Sequence, residues 1–275
     1  MKKESIDYYS NNNCFWKKNI LITGATGGIG SLLMCTLVNL GAKVIALVRD
    51  TKKLLEILEK NNINKDSVLY ERFDFRLDHQ YRETFTNIML KLKGKLDIMF
   101  LCHGCFEKGE IIETNLKEFD NLININTRSI MGLMSLASPF LKHTQGNIVA
   151  ISSLESFIPV KGSFLNTLSK SMVNSLIQNA ALELASFGVR VNGVAPGVTN
   201  TELRINLFDE PKKEKNQDFM INEGENNILS KEVINPGDVV DVMLFLASDD
   251  AGFVTGEIIR IDNGYGLNHD HCFDE

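Results

Sequence analysis

The chain has 275 residues, 44% of them hydrophobic, which is enough to bury a full core as one large α/β domain or two small ones. Its formal net charge of −6 at pH 7 gives no reason to expect nucleic acid or an anionic membrane as a partner. Because no apolar run reaches the roughly 20 residues that a bilayer-spanning helix needs, we expect no membrane insertion.

The two ends of the chain are polar. Residues 1–17 lack the apolar core of a secretory signal and the basic, acid-poor character of a transit peptide, so we predict a flexible N-terminal extension. Residues 267–275 are predicted to be a flexible tail, although the run His269-Asp270-His271-Cys272 leaves a metal site as the alternative. Five scattered cysteines indicate free thiols in a reducing compartment, and we expect a cytoplasmic protein.

The stretch NILITGATGGIG predicts a strand, a tight turn and a helix in succession. The apolar run Ile20–Ile22 comes first, and a helical pattern follows over Ser31–Leu40. Three glycines stand between them with the spacing Gly-x3-Gly-x-Gly: Gly24, Gly28 and Gly30. Glycine lets a ligand approach the backbone closely, and the N–H groups of the new helix face an anion, as in pyrophosphate-binding turns. A glycine-rich turn without a ligand is the alternative for these residues alone.

A second strand, Val44–Val48, is followed by Arg49 and by a helix over Thr51–Lys60 that Asp50 can cap. The position about twenty residues past the glycines distinguishes the two nicotinamide dinucleotides, because an acidic side chain there accepts hydrogen bonds from a ribose 2′-hydroxyl. Here Val48 and Arg49 occupy it, and a guanidinium suits a 2′-phosphate. The sequence therefore favours NADP(H) over NAD(H), with a solvated surface arginine as the alternative.

The rest of the chain alternates strands and helices. The predicted strands are Ser67–Phe73, Asp97–Leu101, Gly146–Ile151, Val189–Val194 and Glu257–Asp262. The predicted helices are Asp78–Lys93, Glu118–Lys142, Gly162–Ser186 and Val239–Ala247. Such alternation implies parallel pairing with right-handed crossovers, so we predict one α/β domain over residues 18–266 with a doubly wound parallel sheet, a Rossmann fold. Its site should lie beyond the carboxyl ends of the strands.

Two segments outside this pattern bear on function. The polar stretch Val198–Asn235 is too long for an ordinary connection and is predicted to be a lid over a site. The run Cys102-His103-Gly104-Cys105 could suggest a metal. We expect none, because these side chains sit too close together and no second ligand pair completes a tetrahedron.

From about residue 18 to residue 266 the chain resembles the short-chain dehydrogenase/reductase family, and it is most similar to the 3-oxoacyl-carrier-protein reductase-like branch. The resemblance rests on ordered motifs: the TGATGGIG turn, Asp74, Asn126, Ser153, Lys170, Pro196-Gly197 and TGEIIRIDNG. It implies a nicotinamide dinucleotide, hydride transfer at a carbonyl or alcohol of a small molecule, and a homodimer or homotetramer. The residues that it assigns to the cofactor are Gly24, Thr26, Gly28, Ile29, Gly30, Arg49, Asp74, Phe75, His103, Gly104, Lys170, Pro196, Gly197, Val198 and Thr201.

The chain departs from this family at the reacting group. In the family a tyrosine four residues before the lysine transfers the proton, a serine thirteen residues upstream of it contacts the carbonyl, and an asparagine holds the water of the lysine. Ser153, Lys170 and Asn126 match, but Asn166 occupies the tyrosine position. A primary amide does not ionise usefully, so we expect weakened or rerouted proton transfer.

Further departures surround the expected cofactor site. Leu101-Cys102-His103-Gly104 replaces the NNAG motif of the family, and Asn263 replaces the glycine after the final aspartate. These departures put catalytic activity in question more than the fold.

Three replacement proton sources remain open: Glu155, His103 and a water held by Lys170. The 2,4-dienoyl-CoA reductases also lack the tyrosine and carry one at the equivalent of Glu155, which adds enoyl reduction to the candidate activities. A carboxyl in a desolvated site can keep its proton near neutral pH, although a plain loop charge is the simpler interpretation of Glu155. An inactive cofactor-binding protein, serving as a sensor or an assembly subunit, is the alternative function. A purely structural role is a third, which the intact glycine turn opposes.

Overall fold

The computed structural model describes residues 3–76, 80–107, 109–201, 229–230 and 232–267. The strands within these residues are β1 (Asn19–Thr23), β2 (Lys43–Val48), β3 (Val68–Arg72), β4 (Ile98–Leu101), β5 (Asn147–Ile151), β6 (Arg190–Pro196) and β7 (Ile258–Ile261). The helices are α1 (Lys3–Asn11), α2 (Gly28–Asn39), α3 (Thr51–Lys60), α4 (Tyr81–Lys91), α5 (Leu116–Ile123), α6 (Ser129–Thr144), α7 (Phe164–Leu184) and α8 (Pro236–Ala247).

The described strands form one parallel sheet in the order β3-β2-β1-β4-β5-β6-β7. The chain moves outward from β1 through β2 to β3 and then returns to place β4 on the other side of β1. This reversal opens a crevice beyond the carboxyl ends of β1 and β4. The predicted single-domain, doubly wound parallel sheet is confirmed.

Helices cover both faces of the sheet, so both faces are buried. Along β1, Ile20 and Ile22 belong to one apolar cluster, with α2, α3 and α8, whereas Leu21 belongs to the other, with α4, α6 and α7. Successive side chains of a strand point to opposite faces, and burial on both faces makes the strand continuously apolar. Asp50 accepts hydrogen bonds from Lys52 N (2.9 Å) and Lys53 N (3.1 Å), which confirms it as the N-cap of α3.

The prediction of a flexible extension before residue 18 is wrong for residues 3–17. They form α1 and a following turn that inserts Phe15, fully buried, beside Tyr9 with ring centroids 5.5 Å apart. The Trp16 ring covers Gly41, where an added Cβ would lie 2.1 Å from a ring carbon. The segment carries apolar residues, but its docking depends on partners from elsewhere in the fold.

The predicted helix Glu118–Lys142 is interrupted. Between α5 and α6 lies one wide π-helical turn, Asn124–Arg128, in which the Ser129 N–H reaches the Asn124 carbonyl five residues back. This turn buries Asn126 completely. Such wide turns are often found at functional sites.

Parts of the sequence-based predictions lie outside the described residues. These are residues 1–2 of the predicted extension, residues 78–79 of the predicted helix that starts at Asp78, residues 202–228 and 231 of the predicted lid, and the tail from residue 268, including its possible metal ligands. The two ends of the predicted lid lie side by side, because Thr199 bridges to Ile234 and the Ile234 N–H donates to the Val198 carbonyl (3.0 Å). Among the described helices, none has the length and apolar character that a bilayer crossing requires.

Candidate functional site

A cleft of about 530 Å³ opens at the carboxyl ends of the strands, at the reversal between β1 and β4. Its wall is built by the loops that follow six successive strands. The lining residues are Gly24, Thr26, Gly27, Gly28, Ile29, Gly30, Leu47, Val48, Arg49, Asp50, Lys53, Asp74, Phe75, Cys102, His103, Gly104, Cys105, Phe106, Ile125, Ile151, Ser152, Ser153, Glu155, Asn166, Lys170, Pro196, Gly197, Thr199 and Thr201.

The glycine turn is a cradle that side chains would fill. Gly24 has φ +64°, and a Cβ there would lie 2.7 Å from the backbone nitrogen of His103. A Cβ at Gly30 would lie 2.3 Å from the Gly24 oxygen, and one at Gly28 would lie 2.7 Å from a methyl group of Thr201. Because α2 begins at Gly28, its first N–H groups have no partner inside the helix. These features fit the pyrophosphate of a dinucleotide.

One end of the cleft carries several charges. Arg49, Lys53 and Asp74 line it. The Asp74 carboxylate is held by Arg76, whose Nε lies 2.9 Å from Oδ1 and 3.1 Å from Oδ2. This charge-assisted hydrogen bond lowers the pKa of Asp74 below its usual range. Asp74 is therefore an ionised acceptor at neutral pH, paired with an arginine that the sequence analysis did not single out.

His103 is buried and engaged on every side. Its Nδ1 lies 2.6 Å from the Thr23 hydroxyl, its Nε2 lies 2.6 Å from the Ser129 hydroxyl, and its ring stacks on Phe75 with centroids 3.7 Å apart. Burial, aided by the nearby Lys170 charge, lowers the pKa of His103 to about 3. The ring is therefore neutral at physiological pH.

Asn126 does not line the cleft but clamps the loop that does. Its Oδ1 accepts the Cys105 N–H at 2.8 Å, and its Nδ2 donates to the Cys105 carbonyl at 2.8 Å and to the Ser169 hydroxyl at 3.1 Å. Both N–H groups of the amide and one acceptor position of its oxygen are thereby used by protein groups. Burial raises the pKa of the Cys105 thiol to about 11, so this side chain is uncharged.

Lys170 reaches the cleft from α7. Its Nζ donates to the Ile151 carbonyl at 2.9 Å, and an added Cβ on Gly104 would lie 3.5 Å from that nitrogen. Burial lowers the pKa of Lys170 to about 8, against a smaller opposing effect of Cys105 and Glu155. The ammonium form still predominates at pH 7.

Asn166 and Glu155 form a pair at the position expected for the missing phenol. The Asn166 side-chain amide donates to Glu155 Oε2, and the Ser163 hydroxyl lies 3.5 Å from the other carboxylate oxygen. The Ser153 hydroxyl accepts the Glu155 N–H at 3.3 Å. Glu155 lies in the short turn Leu154–Ser156 that follows β5, and Asn166 lies in the first turn of α7. The two side chains therefore come from different elements and meet in the cleft.

Most of the predicted site residues meet in this one cleft. Val198 and Asn126 are exceptions, since the Val198 backbone pairs with Ile234 and the Asn126 amide is turned toward Cys105. Lys53 was not predicted as a site residue, although it lines the cleft four residues beyond Arg49. Several loop residues that line the cleft were not predicted either: Cys102, Cys105, Phe106 and Thr199. No group of three or more potential metal ligands occurs in the described part of the chain.

Known proteins resemble this chain over most of its length. The family profile described as enoyl-(acyl carrier protein) reductase matches residues 24–266. Short-chain dehydrogenase reductase 3a of Arabidopsis thaliana is 31% identical over 253 residues, covering 91% of this chain and 95% of that protein. A tropinone reductase homolog of Datura stramonium is 29% identical over 249 residues, covering 90% and 91%.

Solved structures share the fold. The structure described as ElxO with NADP bound aligns with a TM-score of 0.81 and 27% identity, covering 90% of this chain and 98% of that one. A cofactor-bound short-chain dehydrogenase/reductase of unknown function from Caenorhabditis elegans aligns with a TM-score of 0.83 and 23% identity, covering 94% and 99%. At 23% identity, the similarity to the Caenorhabditis elegans structure concerns the fold alone.

Proposed function

The chain belongs to the short-chain dehydrogenase/reductase family, and from this membership and its cleft we propose an NADP(H)-dependent oxidoreductase of the 3-oxoacyl-carrier-protein reductase-like branch. Its substrate would be a small molecule with a carbonyl, alcohol or enoyl group. The observation that carries the proposal is that Ser153 and Lys170 line the same cleft as the glycine turn. A dinucleotide binder without chemistry would have no need of Ser153, whereas Lys170 is also among the residues expected to hold the cofactor.

The cleft residues divide into groups that suit the parts of the nucleotide. The glycine turn suits the pyrophosphate, and Arg49 with Lys53 suits a 2′-phosphate, because guanidinium and ammonium groups bind phosphate through charge-assisted hydrogen bonds. When bound, the reduced nucleotide would supply a hydride. ElxO, a 27% identical relative, is described with NADP, which supports this choice without deciding it.

The chain's own residues would orient and polarise the substrate. Ser153 would donate a hydrogen bond to the substrate oxygen, and the Lys170 ammonium would stabilise negative charge developing there. Asn166 can donate a hydrogen bond but cannot give up a proton. His103 is unsuited to the task, because both ring nitrogens are engaged and its pKa is about 3. We therefore propose Glu155 as the acid, acting when its carboxyl group carries a proton, with a water held by Lys170 as the other route.

A second candidate function is nucleotide binding without turnover. The observation that favours it is Asn166, whose amide is bonded to Glu155 rather than directed at a reacting atom. On this reading the protein would be a sensor or an assembly subunit that has kept the cofactor cleft.

One experiment separates these functions. Purified protein is titrated with NADPH and NADH, read by the fluorescence of the nicotinamide itself, and then screened for NADPH oxidation with ketones, 3-oxoacyl thioesters and enoyl thioesters. We expect NADPH to bind with a dissociation constant on the order of 1 μM, more tightly than NADH, and to be consumed slowly. Binding without consumption would favour the second candidate, and failure to bind either nucleotide would reject both.

Homo-oligomeric assembly is part of the proposal. Large apolar side chains are exposed on the outer helices and on the loop before β7, including Met131, Leu182 and Phe253. Contiguous patches of exposed apolar side chains mark subunit interfaces, and these side chains are candidates for such a patch. Light scattering coupled to gel filtration should give the mass of a dimer or a tetramer, whereas a monomer at micromolar concentration would contradict this part of the proposal.

A further inference from the structure

His103 links two parts of the cleft wall that come from distant points of the chain. The Cys102 N–H donates to the Thr23 hydroxyl at 3.0 Å, and that hydroxyl lies 2.6 Å from His103 Nδ1. On the other side of the ring, Nε2 lies 2.6 Å from Ser129 Oγ, which in turn lies 2.5 Å from the Ile125 carbonyl. Thr23 ends β1, and Ile125 belongs to the wide turn that carries Asn126.

The direction of each hydrogen bond follows from these partners. The Ile125 carbonyl can only accept, so the Ser129 hydroxyl donates to it and must accept from His103 Nε2–H. Nδ1 is then an acceptor and receives the Thr23 proton, whose only other partner, the Phe100 carbonyl, is more distant at 3.4 Å. The geometry therefore fixes one neutral tautomer, with the proton on Nε2.

We infer that His103 is a positioning residue, which as the neutral Nε2–H tautomer ties the end of β1 to the wide turn and so holds Asn126, and through it the Cys105 loop, beside Lys170. The observations that carry this inference are the two 2.6 Å contacts of one ring and the clamp between Asn126 and Cys105. Stacking on Phe75 fixes the plane of the His103 ring and connects it to the loop after β3, beside Asp74.

The two halves of the link can be tested separately. An asparagine amide reaches the place of Nδ1 and a glutamine amide that of Nε2, so His103→Asn can keep only the Thr23 contact and His103→Gln only the Ser129 contact. Ser129→Ala removes the acceptor while leaving the histidine in place. Ser138→Ala is the matched control, because Ser138 bonds the Met134 carbonyl four residues back on the same helix without contacting His103.

The first readout is amide hydrogen exchange in the wide turn, which does not require an active enzyme. We expect His103→Asn and Ser129→Ala to speed exchange over residues 124–128 by about tenfold, as the loss of one buried hydrogen bond predicts. His103→Gln and Ser138→Ala should stay within about threefold of the native protein. Nitrogen-15 NMR of the native ring should show Nε2 protonated and Nδ1 not.

The second readout is kinetic and rests on the proposed oxidoreductase function. Turnover should fall about ten- to a hundredfold in His103→Asn and Ser129→Ala, with a much smaller change in the dissociation constant of NADPH, because a displaced positioning group affects geometry more than binding. If the protein proves inactive, the exchange and NMR results still decide the inference. It is overturned if His103→Asn matches His103→Gln, if Ser129→Ala matches Ser138→Ala, or if Nδ1 carries the proton. Should His103→Asn fail to fold, the two serine variants decide.

Discussion

The Asn166 side-chain amide donates a hydrogen bond to the Glu155 carboxylate inside the cleft, one helical turn before Lys170. The two residues are eleven apart in the chain and come from different elements. A carboxylate and an amide thus occupy the space where a phenol is expected from the family. Changing either partner also alters the hydrogen bonding of the other, so the two positions must be tested as a pair.

Restoring the phenol should restore proton transfer. We expect Asn166→Tyr to raise the rate of ketone or 3-oxoacyl thioester reduction by about 10²–10⁴, the usual contribution of a positioned acid. Asn166→Phe is the control, because it supplies the ring and breaks the contact with Glu155 but carries no proton. If the tyrosine variant is no faster than the parent, or only as fast as the phenylalanine variant, loss of the tyrosine does not limit the rate.

Removing the carboxyl tests the proposed acid. In the parent protein, Glu155→Gln should lower residual turnover by about ten- to a hundredfold while leaving the dissociation constant of NADPH within about twofold. The control is Glu107→Gln, because the Glu107 side chain accepts from Asn121 at 3.3 Å and does not line the cleft. An unchanged rate in Glu155→Gln would leave a water held by Lys170 as the proton source.

Arg49 should distinguish the two nucleotides. We expect Arg49→Ala to weaken NADPH binding by about tenfold or more, since a hydrogen bond to a charged group is lost, with little effect on NADH. Arg72→Ala removes an exposed arginine at the end of β3 that does not line the cleft, and it serves as the control. Nicotinamide fluorescence measures both constants. Equal losses for NADPH and NADH would mean that Arg49 does not contact a 2′-phosphate.

Acid should destabilise the fold through His103. Its pKa is about 3 in the folded protein, below the ordinary value of 6.5 that the unfolded chain recovers. The unfolded chain therefore binds more protons as the pH falls below 6.5, and the free energy of unfolding decreases down to about pH 3. Between pH 6 and pH 4 the native protein should lose about 2 kcal/mol more than His103→Gln, in urea denaturation at each pH. Parallel pH dependences would mean that the ring is not held neutral.

The N-terminal segment should behave as part of the core. Phe15 is fully buried, so Phe15→Ala should lower the free energy of unfolding by about 3–5 kcal/mol. Tyr8→Ala is the control, because its ring is half exposed and its hydroxyl contacts Asp250 at the surface, which predicts a clearly smaller loss. A loss at Phe15 as small as that at Tyr8 would show that residues 3–17 are not docked in solution.

The fold could be predicted because its determinants are local. The strands β2, β4 and β5 contain continuous apolar runs, and Gly24, Gly28 and Gly30 leave a recognisable spacing at the first turn. The interruption between α5 and α6 could not be predicted, because the wide turn continues the helical pattern of the sequence. Its support comes from His103, which lies in the loop after β4, 26 residues before Ser129. Contacts of that kind have no local signature.

Which residues line the site could be predicted from the sequence, but their hydrogen-bond partners could not. Motif spacing brought Ser153 and Lys170 to the cleft, but it could not show that Asn166 bonds Glu155 or that the Asn126 amide turns away toward Cys105. These orientations depend on which donor finds which acceptor after the chain has folded. The docked N-terminal segment was missed for the same reason, because Phe15 is apolar in isolation and buried only by its neighbours.

Trp16 is the single tryptophan of the chain, and its ring covers Gly41 where β2 is about to begin. The cleft opens where β2 ends, six residues and about 20 Å further along the strand. Because Trp16 packs on Gly41 while 56% of its surface stays exposed, we expect a modest red shift of its indole emission when the first helix detaches. Detachment of the N-terminal segment and binding of nucleotide can therefore be followed in one sample, the first by the wavelength of indole emission and the second by nicotinamide fluorescence.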